Sequence, residues 1–142
     1  MIKKQLELND FKGRWALRRE IRDHLGGQQG KFFGIAEFSV MDDGLLYMEQ
    51  GTLSMGNQPD LNAERCYLWK GEGTSVEIFF QDGRSFHKLD LKRTMPDAQH
   101  LCVADMYSVA YRFIDWPNWT ARWDVLGPRK DYRMTSSYKR TV

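Results

Sequence analysis

Polar and apolar side chains alternate with a period of two along almost the whole chain. In the stretch RWALRREI (14–21), one face carries Trp15, Leu17, Arg19 and Ile21. Such alternation predicts half-buried β-strands, because successive side chains of a strand point to opposite faces. Residues 3–10 favour at most one short helical turn, and no segment shows the apolar period of a longer amphipathic helix.

Turn signals divide this pattern into short segments, among them MDDG (41–44) and the hairpin signal QDG (81–83). The predicted strands are 14–21, 31–40, 45–55, 64–71, 75–80, 85–91, 98–107, 107–114, 118–126 and 131–140. Connections this short exclude the crossovers that parallel strands need. A meander of about ten strands avoids exposed edges by closing. The sequence therefore predicts an all-β fold, a single up-and-down antiparallel β-barrel that forms one domain over residues 1–142.

The two ends of the chain fit this closure. The first predicted strand opens with GRW (13–15), and the last carries Arg140. In a closed meander these strands are neighbours, so Arg140 is expected to stack on the ring of Trp15, a contact worth roughly 0.5–2 kcal/mol. A Gly-x-Trp at the barrel floor with an arginine on the last strand resembles the calycin superfamily, which includes lipocalins and fatty-acid-binding proteins.

A closer resemblance covers nearly the full chain. The stretches that carry it are FKGRWALRREI, GLLYMEQG, YLWK, DGRSFHKLDL, HLCVADMYSVAYRF and WPNWTARWDVLGPRKDY. They are similar to the uncharacterised domain-of-unknown-function family 6314, which implies a calycin-like barrel and no established reaction. In the nitrobindin-like calycins a late histidine holds haem. Here the last histidine is His100, and the glycine pattern of that branch does not follow Trp15, which argues against haem.

Composition narrows the functional classes. The chain has a net charge of +2 with both signs dispersed, and its basic stretch GPRKDYR (127–133) is short. Nucleic-acid binding needs a clustered basic face, so it is not predicted. The start MIKKQLELND has no apolar signal-peptide core, and no stretch is long enough to span a membrane. Two reduced cysteines, Cys66 and Cys102, are the simplest interpretation, with a disulfide between them as the alternative that the sequence leaves open. These features favour a cytoplasmic protein without membrane association.

Alternation also selects the side chains that face the barrel interior. Arg19 is on the apolar face of its strand, and a buried charge needs a partner. That partner is expected to be Glu37, Glu49 or an anionic ligand. His87 shares a face with Leu89 and Leu91 and is expected to point inward. The remaining inward candidates are Arg65, Trp69, Tyr107, Tyr111, Trp119, Trp123 and Tyr138.

The stretch AQHLCVADMY (98–107) leaves one ambiguity. His100 and Cys102 share one face, and Leu101 and Val103 share the other. If residue 87 pairs with 100 or 102, the heteroatom side chains face the cavity, and a one-residue shift turns them outward. If His87, His100 and Cys102 all point inward, they supply three ligands of the kinds that zinc prefers. Because no Cys-x-x-Cys or His-Glu-x-x-His accompanies them, no metal is predicted and the cofactor stays unknown.

Three functions remain open. The first is binding of a small aromatic or amphipathic ligand, with a negative group, in an aromatic-lined cavity. The second is a cavity enzyme of isomerase, cyclase or lyase type, with His87 or His100 as general acid or base beside Tyr107 or Tyr111. The third is a filled barrel that binds proteins through an exposed DWPNW turn (115–119), with a plug at the barrel mouth as the other interpretation of that turn. Homodimer and monomer are equally open.

Overall fold

The computed structural model describes residues 5–141 and consists almost entirely of antiparallel strands. A short 3₁₀ helix, Leu8–Phe11, precedes ten strands. They are β1 (Gly13–Asp23), β2 (Gln28–Met41), β3 (Gly44–Met55), β4 (Leu61–Glu72), β5 (Ser75–Phe80), β6 (Ser85–Asp90), β7 (Asp97–Cys102), β8 (Asp105–Arg112), β9 (Trp119–Gly127) and β10 (Lys130–Arg140). The predicted all-β, ten-stranded antiparallel barrel is confirmed.

The largest differences from the predicted boundaries concern three segments. The segment 98–107 is interrupted at Val103 and Ala104, which form the turn between β7 and β8. The predicted loops 24–30 and 56–62 are shorter, because β2 already begins at Gln28 and β4 at Leu61. The short helical turn expected near residue 8 is present, and residues 3 and 4 of that expectation lie outside the described part of the chain.

The first and last strands, β1 and β10, are hydrogen-bonded to each other, and the sheet is open only between β6 and β7. The hydrogen-bonded order is β6-β5-β4-β3-β2-β1-β10-β9-β8-β7, so β6 and β7 stand at its two ends. Within residues 5–141 no backbone ladder joins these two strands. Rings fill the seam instead: the ring centroid of His100 on β7 lies 5.2 Å from that of Phe86 on β6. The barrel is therefore nearly closed, with side chains sealing one seam.

Two glycines let β2 and β3 approach each other at the middle of the barrel. Gly34 and Gly51 are direct cross-strand partners. A Cβ at Gly34 would lie 2.2 Å from the carbonyl oxygen of Gln50, and one at Gly51 would lie 2.1 Å from that of Phe33. Glycine at both positions permits this close backbone contact, which a side chain on either strand would prevent.

One end of the barrel, which we call the floor, is closed by aromatic packing around the 3₁₀ helix. The ring of Phe11, which is completely buried, contacts those of Phe38, Trp69, Phe113, Trp116 and Trp119. The indole nitrogen of Trp15 donates to the Phe11 carbonyl at 2.9 Å. The other end, where β7 turns into β8 and β9 into β10, stays open as the mouth.

This floor decides between the two interpretations of the DWPNW turn. The ring of Trp116 packs 4.9 Å from that of Phe11 and 5.4 Å from that of Trp15, and Trp119 is buried. The turn is thus a plug of the barrel, at the closed end rather than the mouth. An exposed tryptophan pair for protein contacts is not formed.

Candidate functional site

A cavity of about 310 Å³ lies above the floor and opens at the mouth. All eleven candidate ligand-binding residues from the sequence line it: Arg19, Arg65, Trp69, His87, His100, Cys102, Tyr107, Tyr111, Trp119, Trp123 and Tyr138. The barrel is therefore not completely filled by its own side chains. The volume is at the lower end of the range of ligand pockets, about 300–1,000 Å³.

Stacked rings form two walls of the cavity. Trp123 of β9 stacks on Phe86 of β6, with ring centroids 5.0 Å apart and planes 14° from parallel. Deeper in the barrel, Trp119 stacks on Tyr138 at 3.8 Å and 7°. Flat rings held by their neighbours present rigid surfaces, which favour a flat or apolar guest.

Arg19 is held by an internal ion pair. Its Nη1 and Nη2 donate to the two carboxylate oxygens of Glu49 at 2.7 and 2.9 Å, and its Nε donates to the Ser136 hydroxyl at 2.7 Å. Glu37, the other expected partner, pairs with Arg14 on the outer surface. Because Glu49 already compensates the charge of Arg19, an anionic ligand is not needed there, which corrects the anion-contact interpretation.

Two tyrosines extend this network across the cavity wall. The Tyr47 hydroxyl donates to Glu49 at 2.6 Å and lies 2.9 Å from the Tyr138 hydroxyl. Burial would raise the pKa of Glu49, but the hydrogen bond and charge of Arg19 outweigh it and hold that pKa below its usual value. Burial, aided by the Glu49 carboxylate, raises the pKa of Tyr138 to about 12. The deep wall is therefore a paired, net-neutral network at physiological pH.

His87 points inward, as expected, and is only 6% exposed. Its Nε2 lies 2.8 Å from the hydroxyl of Tyr111. Burial, assisted by the nearby His100, lowers the pKa of His87 to about 3, so its ring is neutral. Its Nδ1 and the Nε1 of Trp119 are the two buried side-chain atoms in the described residues that have no hydrogen-bond partner.

The ambiguity of the 98–107 stretch is resolved by the hairpin. His100 pairs with Tyr107 across the β7–β8 turn, and paired residues share a face. His100 and Cys102 therefore face the cavity, whereas Leu101 and Val103 are 62% and 96% exposed. The expected pairing of residue 87 with 100–103 is not formed, because β6 and β7 share no ladder.

The mouth carries charged groups that sequence reasoning missed. Lys130 donates to the Tyr107 hydroxyl at 3.1 Å and lies 3.1 Å from a carboxylate oxygen of Asp105. These contacts raise the pKa of Lys130. Arg84 at the rim bonds to Asp82 of its own turn. Lys130 lies in the basic stretch 127–133, and the sequence alone does not show that its side chain reaches Tyr107 and Asp105.

Phe86 was missed for a different reason. Strict alternation places His87 inward and Phe86 outward, yet both are buried and both line the cavity. The β5–β6 register shifts between Ile78 and Phe79. A bulge of this kind changes the direction of side chains locally. The sequence did not predict it, because no glycine or proline marks that position.

Comparison with known proteins places the chain in a family. A model described as a family of unknown function, DUF6314, matches residues 11–140. The chain belongs to DUF6314. No curated protein matches this DUF6314 member in sequence. A solved structure of similar architecture is that of the S-type phycobiliprotein lyase CPES from Guillardia theta, with a TM-score of 0.65 and 9% identity over 96% of this chain and 94% of that one. At this identity the likeness shows the fold alone.

Two further findings bear on the chemistry of this DUF6314 barrel. Among the described residues, no group of three or more His, Cys, Asp or Glu side chains is arranged to hold a metal ion. The convergence of His87, His100 and Cys102 on one metal is therefore not formed, although all three line the cavity. None of the helices in residues 5–141 is long and apolar enough to cross a membrane.

Proposed function

We propose that this protein binds a small aromatic or amphipathic molecule in the barrel cavity. The observation that carries the proposal is the space itself: about 310 Å³ stays open inside a barrel whose walls are stacked aromatic rings. Interiors that serve only stability are packed with few voids larger than a water molecule. A cavity of this size, open at one end, is what a ligand site requires.

The chemistry of the wall indicates the shape of the guest. The Trp123–Phe86 stack offers a flat apolar surface near the mouth, and Tyr111 and Trp119 offer others below it. A planar or alkyl body therefore gains buried apolar area, at roughly 25 cal/mol per Å². The ligand can carry only as many buried polar groups as the few polar atoms of the wall can hydrogen-bond.

Two unsatisfied atoms support a bound molecule. His87 Nδ1 and Trp119 Nε1 have no partner among residues 5–141, and both residues line the cavity. Buried polar atoms are nearly always hydrogen-bonded, and an exception calls for an explanation. The Trp119 Nε1 is a donor, and His87 Nδ1 is one when Nε2 accepts from the Tyr111 hydroxyl, so a ligand that carries an acceptor would satisfy them.

A neutral fluorescent probe tests the proposal. We expect N-phenyl-1-naphthylamine to bind with saturable fluorescence enhancement. Ala121→Phe places a ring in the cavity from β9, where Ala121 is buried, and is expected to weaken binding about tenfold or more, the loss of at least 1.4 kcal/mol. Met134→Trp fills the same cavity from β10 and serves if the first variant unfolds.

The control is Ala110→Phe, which changes the outer side of β8 next to Arg122. It is expected to bind the probe like the wild type. Wild-type protein that shows no saturable binding contradicts the proposal, as does a folded cavity-filling variant with undiminished affinity. Native mass spectrometry of the freshly purified protein identifies any guest already held.

Catalysis in the cavity is the second candidate. The observation that favours it is a set of proton-carrying groups at the mouth: His100 faces Tyr107, whose hydroxyl contacts Lys130. His87 stays neutral at its low pKa and suits hydrogen bonding better than acid catalysis. The named structural neighbour is a phycobiliprotein lyase, so a barrel of this architecture serves a lyase elsewhere. Conversion of a recovered guest by wild type, lost in His100→Ala and Tyr107→Phe, tests this candidate.

A further inference from the structure

We infer that the ligand of this cavity is a monoanion whose single negative group lies at the mouth beside Arg65, with an uncharged body inside the barrel. The inference rests on the proposed binding function and names the chemical class of the ligand. It follows from the charges that line the cavity and from which of them already have partners.

Three arginines line the cavity, and two of them are paired. Arg19 bonds to Glu49, and Arg84 bonds to Asp82 at 2.8 Å. Arg65 has no hydrogen bond and no ion pair with another residue in the range 5–141. It lies opposite Glu49 on the neighbouring strand and its charge acts on that carboxylate, but both Glu49 oxygens already accept from Arg19. The cavity therefore has one guanidinium whose donors are available to a guest.

Arg65 is placed to receive a group from the cavity. It is on the inward face of β4 with Tyr67 and Trp69, one step nearer the mouth than Tyr67. The Tyr67 ring lies 5.7 Å from that of Phe86, so the cation stands beside the aromatic wall. A planar body packed on this wall would carry its terminal charged group toward Arg65, where a bidentate contact with a carboxylate is available.

The deep end of the cavity excludes a second negative charge. Glu49 is itself a carboxylate there, and Nε, Nη1 and Nη2 of Arg19 each already donate to a protein oxygen. A second anion would face Glu49 with no counterion left, because Arg65, opposite Glu49 on β4, already binds the first anionic group. An unpaired buried charge is strongly unfavourable. The body of the ligand is therefore uncharged, which limits the molecule to one anionic end.

Three matched probes test the inference by titration calorimetry at neutral pH: 2-naphthoate, 2-naphthalenemethanol and 2,6-naphthalenedicarboxylate. We expect 2-naphthoate to bind about five- to tenfold more tightly than the alcohol, as a charge-assisted hydrogen bond implies. Arg65→Gln is expected to remove this preference. Added salt is expected to reduce it, because the mouth is open to solvent. The dicarboxylate is expected to bind more weakly than 2-naphthoate.

Arg133→Gln is the matched control, since Arg133 is an exposed arginine paired with Asp124 on the outer surface. It is expected to leave the preference for 2-naphthoate unchanged. If alcohol and 2-naphthoate bind equally, or if Arg65→Gln keeps the preference, the charge assignment is overturned while cavity binding stands. Tightest binding of the dicarboxylate overturns the limit to one charge. If none of the probes binds, the proposed function itself fails.

Discussion

The guanidinium of Arg140 lies over the indole ring of Trp15, 3.9 Å from the ring centroid, where the last strand meets the first. The same guanidinium donates to the carbonyl of Lys12 at 2.6 Å and to that of Asp10. One side chain thus joins β10 to β1 and to the end of the 3₁₀ helix. Arg140 therefore stabilises the contact between the first and last strands at the floor of the barrel.

Arg140→Ala is expected to lower the free energy of unfolding by about 2 kcal/mol, from the loss of the cation–π contact and the charge-assisted hydrogen bonds. Urea denaturation measures the change. Lys139→Ala, next to it but on the outer face of β10, is expected to change stability by less than about 0.5 kcal/mol. Equal effects of the two substitutions would show that Arg140 has no special closing role.

Phe11 is the centre of the floor, and its truncation should be among the most damaging in the chain. Phe11→Ala removes a completely buried ring with five aromatic neighbours, so we expect a loss of about 3–5 kcal/mol. Phe33→Ala, at a residue that is 48% exposed, is expected to cost about 1 kcal/mol or less. A loss at Phe11 no larger than at Phe33 would mean that the floor packs loosely.

The fold was predictable because its signals are local. Alternation defined each strand, and the short turns between strands allowed only an antiparallel meander. The contact between Trp15 and Arg140 followed from closure, since a closed meander makes its first and last strands neighbours. The break at Val103 and Ala104 escaped because this turn contains none of the glycine, asparagine or aspartate residues that usually mark hairpins.

The site was predictable as a set of residues but not as a set of contacts. Inward faces followed from alternation wherever one face was apolar, as for Tyr111 and Trp123. The partner of Arg19 did not follow, because KFFGIAEFSV has apolar residues on both faces and so leaves the direction of Glu37 open. The orientation of His100 depended on the register of the β7–β8 hairpin, which is set by the turn at Val103 and Ala104 that the sequence pattern did not reveal.

The Arg19–Glu49 pair makes a strong prediction for stability. Glu49→Gln leaves a buried guanidinium without a counterion, so we expect a loss of about 3–5 kcal/mol in chemical denaturation. Glu37→Gln breaks the exposed pair with Arg14 and is expected to change stability little, because solvent screens exposed ion pairs. A Glu49→Gln effect as small as that of Glu37→Gln would mean that water reaches the buried pair.

The double variant Arg19→Met, Glu49→Leu separates pairing from burial. With both charges removed, no group is left uncompensated, and we expect stability to recover most of the loss caused by Glu49→Gln alone. The same denaturation experiment measures it. If the double variant is as unstable as Glu49→Gln, the hydrogen bonds that the Ser136 and Tyr47 hydroxyls make to Arg19 and Glu49 carry the stability of the network.

His87 predicts a pH dependence with a definite sign. Its pKa is about 3 in the folded protein against an ordinary value of 6.5. As the pH falls from 6.5 toward 3, the unfolded chain takes up a proton that the folded protein does not, so folding weakens by up to about 1.4 kcal/mol per pH unit. His87→Gln, which retains a hydrogen-bonding group for Tyr111, should flatten this part of the stability profile.

Lys88→Gln is the control for this profile, because Lys88 is on the outer face of β6 and does not change charge in that pH range. It is expected to keep the wild-type dependence on pH. A His87→Gln profile parallel to that of the wild type would show that His87 is already protonated in the folded protein, or that water reaches its ring.

The two free cysteines provide an internal test of occupancy. Cys102 lines the cavity near the mouth, whereas Cys66 on β4 is outside it. A guest that fills the cavity should shield the Cys102 thiol, so saturating N-phenyl-1-naphthylamine is expected to slow alkylation of Cys102 by iodoacetamide about fivefold or more while Cys66 reacts as before. Peptide mass spectrometry after timed quenching measures both rates in one sample. Equal slowing at both thiols would indicate a global change rather than binding in the cavity, and unchanged rates at both would place the probe elsewhere.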